Sequence, residues 1–243
     1  MAEVCVQQLL TVVLFTLIAG MAMPFGAALA SVERISPGWL EEEFRHSVIA
    51  FGGGALLAAV ALVLVPEAID DLSPVPVVLY FAAGGAAFMA VDILLYRMQT
   101  SASQLAAMLA DFVPESLALG AAFAIGGEGA VLLALLIGLQ NLPEGFNAYR
   151  ELKDSTRYSR ARIILLFAAM ALLGPVAGVC GYLWLADSPA LVGAIMLFAA
   201  GGILYSVFQD IAPQARLDKH WAPSLGALLG FVLGIVGHML AVA

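Results

Sequence analysis

Residues 111–116 read DFVPES and residues 140–145 read QNLPEG, and each stretch lies inside an apolar segment long enough to form a helix. Each stretch places a glutamate directly after a proline, and an aspartate or a glutamine four residues before that glutamate. Residues i and i+4 share one face of a helix. The two stretches therefore predict four oxygen-bearing side chains that face one another: Asp111, Glu115, Gln140 and Glu144.

The sequence around these stretches is typical of a membrane protein. Of the 243 residues, 63% are hydrophobic and 12% are charged, and the mean hydropathy is +1.00. A helix of about 20 apolar residues crosses a bilayer, and eight such segments fit between the polar breaks: 6–30, 47–68, 75–96, 103–124, 129–150, 161–186, 190–211 and 222–242. We therefore predict an all-α integral membrane protein whose residues 1–243 form one transmembrane domain of eight helices.

The basic residues support this count and give an orientation. All ten Lys and Arg residues fall in alternate loops: Arg34 and Arg45, Arg97, then Arg150, Lys153, Arg157, Arg160 and Arg162, and finally Arg216 and Lys219. The positive-inside rule makes those loops cytoplasmic. The prediction is a multi-pass protein of the inner (cytoplasmic) membrane with both termini outside.

An internal repeat relates the two halves of the chain. Residues 51–66 of the second span and residues 198–213 of the seventh both run from Phe to Pro over fifteen positions, with Gly and Leu at matching places. A glycine precedes a polar residue by eight positions in the third span (Gly84) and in the eighth (Gly230). The matched spans run in opposite directions, which predicts a 3+2+3 inverted repeat. Inverted repeats of this kind are typical of secondary transporters.

The two prolyl-glutamate stretches lie at similar depths in the membrane. At about 1.5 Å per helical residue, antiparallel spans four and five would level Asp111 with Glu144, and Glu115 with Gln140. Each carboxylate in hydrocarbon costs roughly 2.5–3.5 kcal/mol, and a divalent cation is the natural offset. One alternative stays open: protonated carboxylates that hydrogen-bond the two helices together without metal.

Two further sets of polar residues are weaker candidates. A possible outer entrance comprises Glu67, Asp70 and Asp71, which follow the second span. A possible exit comprises Asp92, Gln209 and Asp210, which lie towards the cytoplasmic ends of their spans. Solvated or interfacial positions explain both sets without a functional role.

The eight spans, the repeat and the QNLPEG stretch at 140–145 resemble the ZIP (Zrt/Irt-like protein) family of divalent metal transporters. The resemblance implies elevator-like movement of one helix bundle, and it leaves a homodimer open. It implies a metal site formed by Asp111, Glu115, Gln140 and Glu144, with Asn141 as a weaker member. On this interpretation the chain is no enzyme, carries no organic cofactor, binds no nucleic acid, and has lipid and metal ions as its partners.

Several positions depart from the family pattern. Asp111 stands where many members have His, Phe112 where they have Asn, Gly174 where the sixth span usually offers Glu, and Gln209 where a His is common. The family's second, adjacent metal position therefore retains at most Asn141, which predicts a single tightly held ion. Oxygen donors suit Mn, Mg or Ca, whereas the family favours Zn, Fe or Mn. We rank zinc first, with manganese or iron close behind.

The predicted function is transport of a divalent metal towards the cytoplasm. A non-transporting metal sensor or membrane scaffold with the same fold is the alternative. An intramembrane hydrolase is a weaker third hypothesis, because no nucleophile or metal-ligand triad accompanies the carboxylates.

Overall fold

The computed structural model of the chain describes residues 2–32, 38–70, 72–98, 101–124, 126, 129–185, 188–218 and 220–241. Within these residues the chain is helical and contains no strand. The α-helices are α1 (Ala2–Val32), α2 (Gly38–Ala59), α3 (Val65–Ile69), α4 (Pro74–Met98), α5 (Ser101–Ala124), α6 (Gly129–Ser155), α7 (Arg160–Ala171), α8 (Leu173–Leu185), α9 (Pro189–Ser206), α10 (Ala212–Ala215) and α11 (Ala222–Ala241).

Seven helical segments in the described part of the chain are long and apolar enough to cross a membrane. They are Val6–Val32, Glu42–Ile69, Pro74–Arg97, Gly129–Ser155, Arg160–Trp184, Pro189–Ala215 and Ala222–Leu240. The prediction of a helical, multi-pass membrane protein is confirmed. Each segment coincides with a predicted span, and several helices run a few residues further than predicted. The remaining predicted span, 103–124, falls on α5, and its crossing of the membrane stays a prediction.

The predicted sixth span is interrupted near its middle. Helix α7 ends at Ala171 and α8 begins at Leu173. Between them, the Leu172 N–H donates a hydrogen bond to the Ala169 carbonyl at 3.3 Å. The cause is Pro175, which has no N–H to donate to the Ala171 carbonyl and whose ring crowds that carbonyl. The regular helical hydrogen bonding therefore breaks here, in a span that packs against α1 and α5.

Two segments of wider, π-helical backbone occur before prolines. The first π-segment is Val60–Leu64, between α2 and α3, and the second is Val207–Ile211, between α9 and α10. Pro66 and Pro213 each follow their segment by two residues. A proline ring clashes with the carbonyl four residues earlier, and the extra residue of a π-turn gives that carbonyl room. Such turns are frequent at functional sites.

Four pairs of helices make the same close contact through glycine. In each pair, a Cβ added to the glycine of one helix would overlap a main-chain carbonyl oxygen of the other helix. That carbonyl belongs to the residue three positions before the glycine of the other helix. Only glycine permits main chains to approach so closely. The pairs are Gly26 with Gly145 (α1 and α6), Gly54 with Gly230 (α2 and α11), Gly84 with Gly201 (α4 and α9), and Gly120 with Gly181 (α5 and α8).

Further packing between these pairs groups the helices into two bundles. The first bundle comprises α1, α5, α6, α7 and α8, and the second bundle comprises α2, α3, α4, α9, α10 and α11 with both π-segments. Between the bundles, α2 and α11 pack on α6, while α4 and α9 pack on α5. The candidate site lies at this boundary.

Candidate functional site at the boundary between the bundles

A cavity of about 380 Å³ opens between α5 and α6 of the first bundle and α2, α4 and α9 of the second. The four side chains predicted from the prolyl-glutamate stretches all line it: Asp111, Glu115, Gln140 and Glu144. Pro114 and Pro143 lie inside their helices, where each removes a main-chain hydrogen bond. Each proline directly precedes a glutamate that lines the cavity.

Glu115 is the most enclosed carboxylate of the cavity. It is 3% exposed, and its Oε2 accepts a hydrogen bond from Gln140 Nε2 at 2.9 Å. Asp111 and Glu144 are its acidic neighbours in the cavity. Three acidic side chains therefore line one cavity.

Asp111 connects the first bundle to the second. The hydroxyl of Ser206, the last residue of α9, donates to Asp111 Oδ1 at 3.2 Å. The charge of Asp210, in the second π-segment, also acts on Asp111. The acidic cluster thus continues across the boundary towards the second bundle.

The side chains are not arranged as a closed metal cage. Among the described residues, no group of three or more His, Cys, Asp or Glu side chains lies close enough together to hold a metal ion. Asp111, Glu115 and Glu144 line a shared space without converging on one point. Binding an ion through all three would require the side chains or the bundles to move closer together.

The predicted exit residues separate into two places. Asp92 and Asp210 line the same cavity as the four central side chains, and the Tyr205 hydroxyl donates to Asp92 Oδ2 at 3.0 Å. Gln209 instead lines a different, shallow groove between α4 and α9, together with Tyr205 and Phe208. The structure brings two of the three exit candidates to the cavity and places the third elsewhere.

The two predicted entrance residues that the structure describes, Glu67 and Asp70, lie away from the cavity. The main-chain N–H of Gly129, the first residue of α6, donates to the carboxylate of Glu67. The other oxygen, Oε2, is buried and has no hydrogen-bond partner among the described residues. Asp70 is exposed in the turn after α3, and Asp71 lies outside the described residues. A carboxylate at a helix N-terminus is favourable, so Glu67 joins the second bundle to the start of α6.

Side-chain packing occupies positions 112, 141 and 174, where the sequence resemblance would place a second metal. The Phe112 ring is 1% exposed, and its edge lies where a Cβ on Gly20 or on Gly174 would be. Asn141 is fully buried, and its Nδ2 donates to the Ala19 carbonyl at 3.0 Å. Side-chain carbon, rather than donor oxygen, fills the space on this flank of the cluster.

Sequence reasoning missed several polar residues of the cavity, although two simple signals existed. Gln140, Glu144, Asn147 and Glu151 recur at helical spacing on α6, and all four line the cavity, as a polar stripe at positions i, i+4, i+7 and i+11 predicts. Ser206 precedes Asp210 by four residues, which predicts a common face. The hydrogen bond from Tyr205 to Asp92 joins different helices and has no signal in the sequence.

Comparison with known protein families found no match to this chain, and neither did a search of curated proteins.

Proposed function

We propose that the protein is a divalent cation transporter that moves metal towards the cytoplasm, in the manner implied by its resemblance to the ZIP family. One observation carries the proposal: three carboxylates and an amide from α5 and α6 line one cavity between two helix bundles. Uncompensated, three carboxylates at this depth would cost on the order of 8–10 kcal/mol. A divalent cation offsets that cost, and a boundary between two bundles allows the ion to enter and leave.

The proposed topology counts α5 as the eighth membrane span and relates the two halves as a 3+2+3 inverted repeat. The π-segments support this relation, because each begins 147 residues from the other and each precedes a proline. The glycine contacts support it too, since Gly54 and Gly201, matched in the repeat, occupy matching contacts in their helix pairs. The alternation of basic loops then gives both termini an outside position.

The cavity extends towards the proposed cytoplasmic side. The cavity-lining residues of α6 end at Glu151, next to Arg150 in the sequence. Those of α4 end at Tyr96, next to Arg97. Basic residues mark the cytoplasmic face, so in the proposed cycle this arrangement is assigned to the inward-open state. In the proposed cycle the first bundle carries the ion and slides along the second, which exposes the cavity to each side in turn.

The substrate is one divalent ion per chain. The flank towards α1 and α8 is filled by the Phe112 ring, and a second cation beside the first would meet strong like-charge repulsion. The donors that line the cavity in the first bundle are oxygen atoms of carboxylates and amides, with no thiolate or imidazole among them. The family resemblance ranks zinc first as the transported ion. The oxygen donors rank manganese and iron close behind it.

Metal uptake into proteoliposomes tests the function. Purified protein should load vesicles with at least one ion from a Zn²⁺, Mn²⁺ and Fe²⁺ panel, measured with an enclosed dye over a range of pH. Glu115→Ala and Glu144→Ala should abolish uptake while the protein still folds. The matched control is Glu43→Ala, which removes a carboxylate of α2 that pairs with His220 outside the cavity. Metal binding without uptake would favour the sensor or scaffold, and wild-type uptake by Glu144→Ala would remove this site from the mechanism.

Cysteine labelling tests the proposed topology. In a background with Cys5 and Cys180 replaced by Ser, single cysteines at Ser155 and Ser188 should react from opposite sides of the membrane, Ser188 from outside. Both positions lie at helix ends, in the loops flanking the sixth predicted span. Labelling of both from one side would contradict the eight-span arrangement.

A further inference from the structure

A continuous line of buried amides connects the main chain of α1 to the central carboxylate. Asn141 Nδ2 donates to the Ala19 carbonyl at 3.0 Å. Gln140 Nε2 donates to Asn141 Oδ1 at 2.7 Å and to Glu115 Oε2 at 2.9 Å. Asn141 is 0% exposed, Gln140 5% and Glu115 3%, so water does not compete freely for these bonds.

The direction of every bond in this line follows from its first member. A main-chain carbonyl such as that of Ala19 can only accept, so Asn141 must present its NH₂ group there. Its carbonyl oxygen must then face Gln140, which in turn must present its own NH₂ group. The orientation of the Gln140 amide is therefore set on one side by the Ala19 carbonyl acting through Asn141, and on the other side by the Glu115 carboxylate, which accepts from the same Nε2.

The consequence concerns the oxygen of Gln140. Nε2 of Gln140 donates to both Asn141 and Glu115. The other polar atom of this side chain, Oε1, takes no part in these bonds, and Gln140 lines the cavity. A reversed amide would turn NH₂ towards a bound cation and repel it. The fixed orientation instead offers an acceptor oxygen beside the Glu115 carboxylate.

We infer that Asn141 is a positioning residue for the cation site: it touches no ion, and it fixes the Gln140 amide so that Oε1 faces the ion and Nε2 holds Glu115. This inference rests on the proposed function, because it assigns Asn141 a role at the same site. The resulting ligand set, a neutral amide oxygen beside carboxylate oxygens, favours the harder divalent ions.

A double-mutant cycle on metal affinity tests the coupling. Dissociation constants for Mn²⁺ and Zn²⁺ would be measured on purified protein for Asn141→Leu, Gln140→Leu and the double variant. Loss of a group that orients a ligand typically weakens metal binding about 10–100-fold, and we expect this for Asn141→Leu. The double variant should bind no more weakly than Gln140→Leu alone, because Asn141 acts through Gln140. Additive losses, or unchanged affinity in Asn141→Leu, would overturn the inference.

Two further variants serve as controls for this double-mutant cycle. Ser116→Ala is the matched control, since Ser116 is buried beside Glu115 on α5 but lies outside the amide line, and it should bind metal as the wild type does. Asn141→Ala, which adds no bulk to the core, serves as a second variant if Leu is not tolerated. Its expected loss is the same, and wild-type affinity in it would equally contradict a positioning role.

A second readout separates this inference from the proposed function. In protein labelled with ¹⁵N-glutamine, the side-chain amide of Gln140, assigned by its loss in Gln140→Glu, should shift and exchange faster with water in Asn141→Leu but not in Ser116→Ala. An unchanged signal would overturn the inference whatever the metal result. If the amide responds but wild-type protein binds no divalent ion, the proposed function fails and the ion-facing part of the inference fails with it, while the amide line stands.

Discussion

The two π-segments have the same length and the same relation to a following proline, yet they face different surroundings. The first reads VALVL, and Val60, Val63 and Leu64 are buried in the apolar core. The second reads VFQDI, and its Asp210 and Ile211 line the cavity. Position for position, Val63 in the first segment corresponds to Asp210 in the second.

The same π-helical backbone therefore occurs in two different packing environments. Around the first segment the bundles are closed together, and Glu67 adds a hydrogen bond to the start of α6. Around the second segment they stand apart, and acidic side chains lie in the gap. The proposed transport cycle requires one side sealed while the other is open, and the contrast between Val63 and Asp210 is consistent with that proposal.

The largest effect should come from making the sealed segment resemble the open one. Val63→Asp places a carboxylate at a position that is 1% exposed, among apolar neighbours. An unpaired buried charge costs several kcal/mol, so we expect loss of folded protein by fluorescence-detected size exclusion. Val63→Ala, a control that removes two methyl groups, should lower the melting temperature only modestly. Wild-type stability of Val63→Asp would mean that the outer side already contains water.

The reverse change should impair transport without unfolding the protein. Asp210 is exposed to the cavity, so Asp210→Val should preserve the melting temperature and lower uptake about tenfold, since one charged contact is worth roughly 1–2 kcal/mol in a partly solvated site. Uptake in proteoliposomes measures this effect. Gln209→Ala is the matched control in the same π-segment, because Gln209 lines the separate groove. Equal losses in both variants would show that the segment matters only for packing.

A smaller effect is expected where Glu67 joins the bundles. Carboxylates at helix N-termini contribute about 0.3–1 kcal/mol, so Glu67→Ala should raise the outward-open population roughly two- to fivefold. The labelling rate of a single cysteine at Leu64, buried in the closed state, measures that population from outside. Asp70→Ala removes a nearby exposed charge and should not raise the rate. An unaltered rate in Glu67→Ala would contradict a closing role for this hydrogen bond.

Much of the architecture could be predicted from periodic features of the sequence. Apolar segments gave the helices, and the i, i+4 spacing of Asp111 with Glu115, and of Gln140 with Glu144, placed four side chains in one cavity. The prolines at 66 and 213 marked equivalent positions, although the sequence did not indicate that the backbone would widen there into π-turns.

Contacts between distant helices could not be predicted in the same way. Glu67, expected at an entrance, meets the α6 main chain, and Gln209, expected at an exit, lies in another groove. The sequence showed that Phe112 replaced a donor, but not that its ring fills the space left by Gly20 and Gly174. Each outcome depends on which neighbour a helix face meets, and a single sequence does not encode that pairing locally.

Anomalous scattering from crystals grown with Mn²⁺ or Zn²⁺ tests the central claim most directly. The account predicts one strong peak per chain, inside the cavity and within ligand distance of Glu115 and Glu144, and no peak at the Phe112 flank. The same crystals of Glu144→Ala should lose that peak. Two adjacent, fully occupied ions at this depth, or a metal-soaked crystal with an empty cavity, would contradict the account.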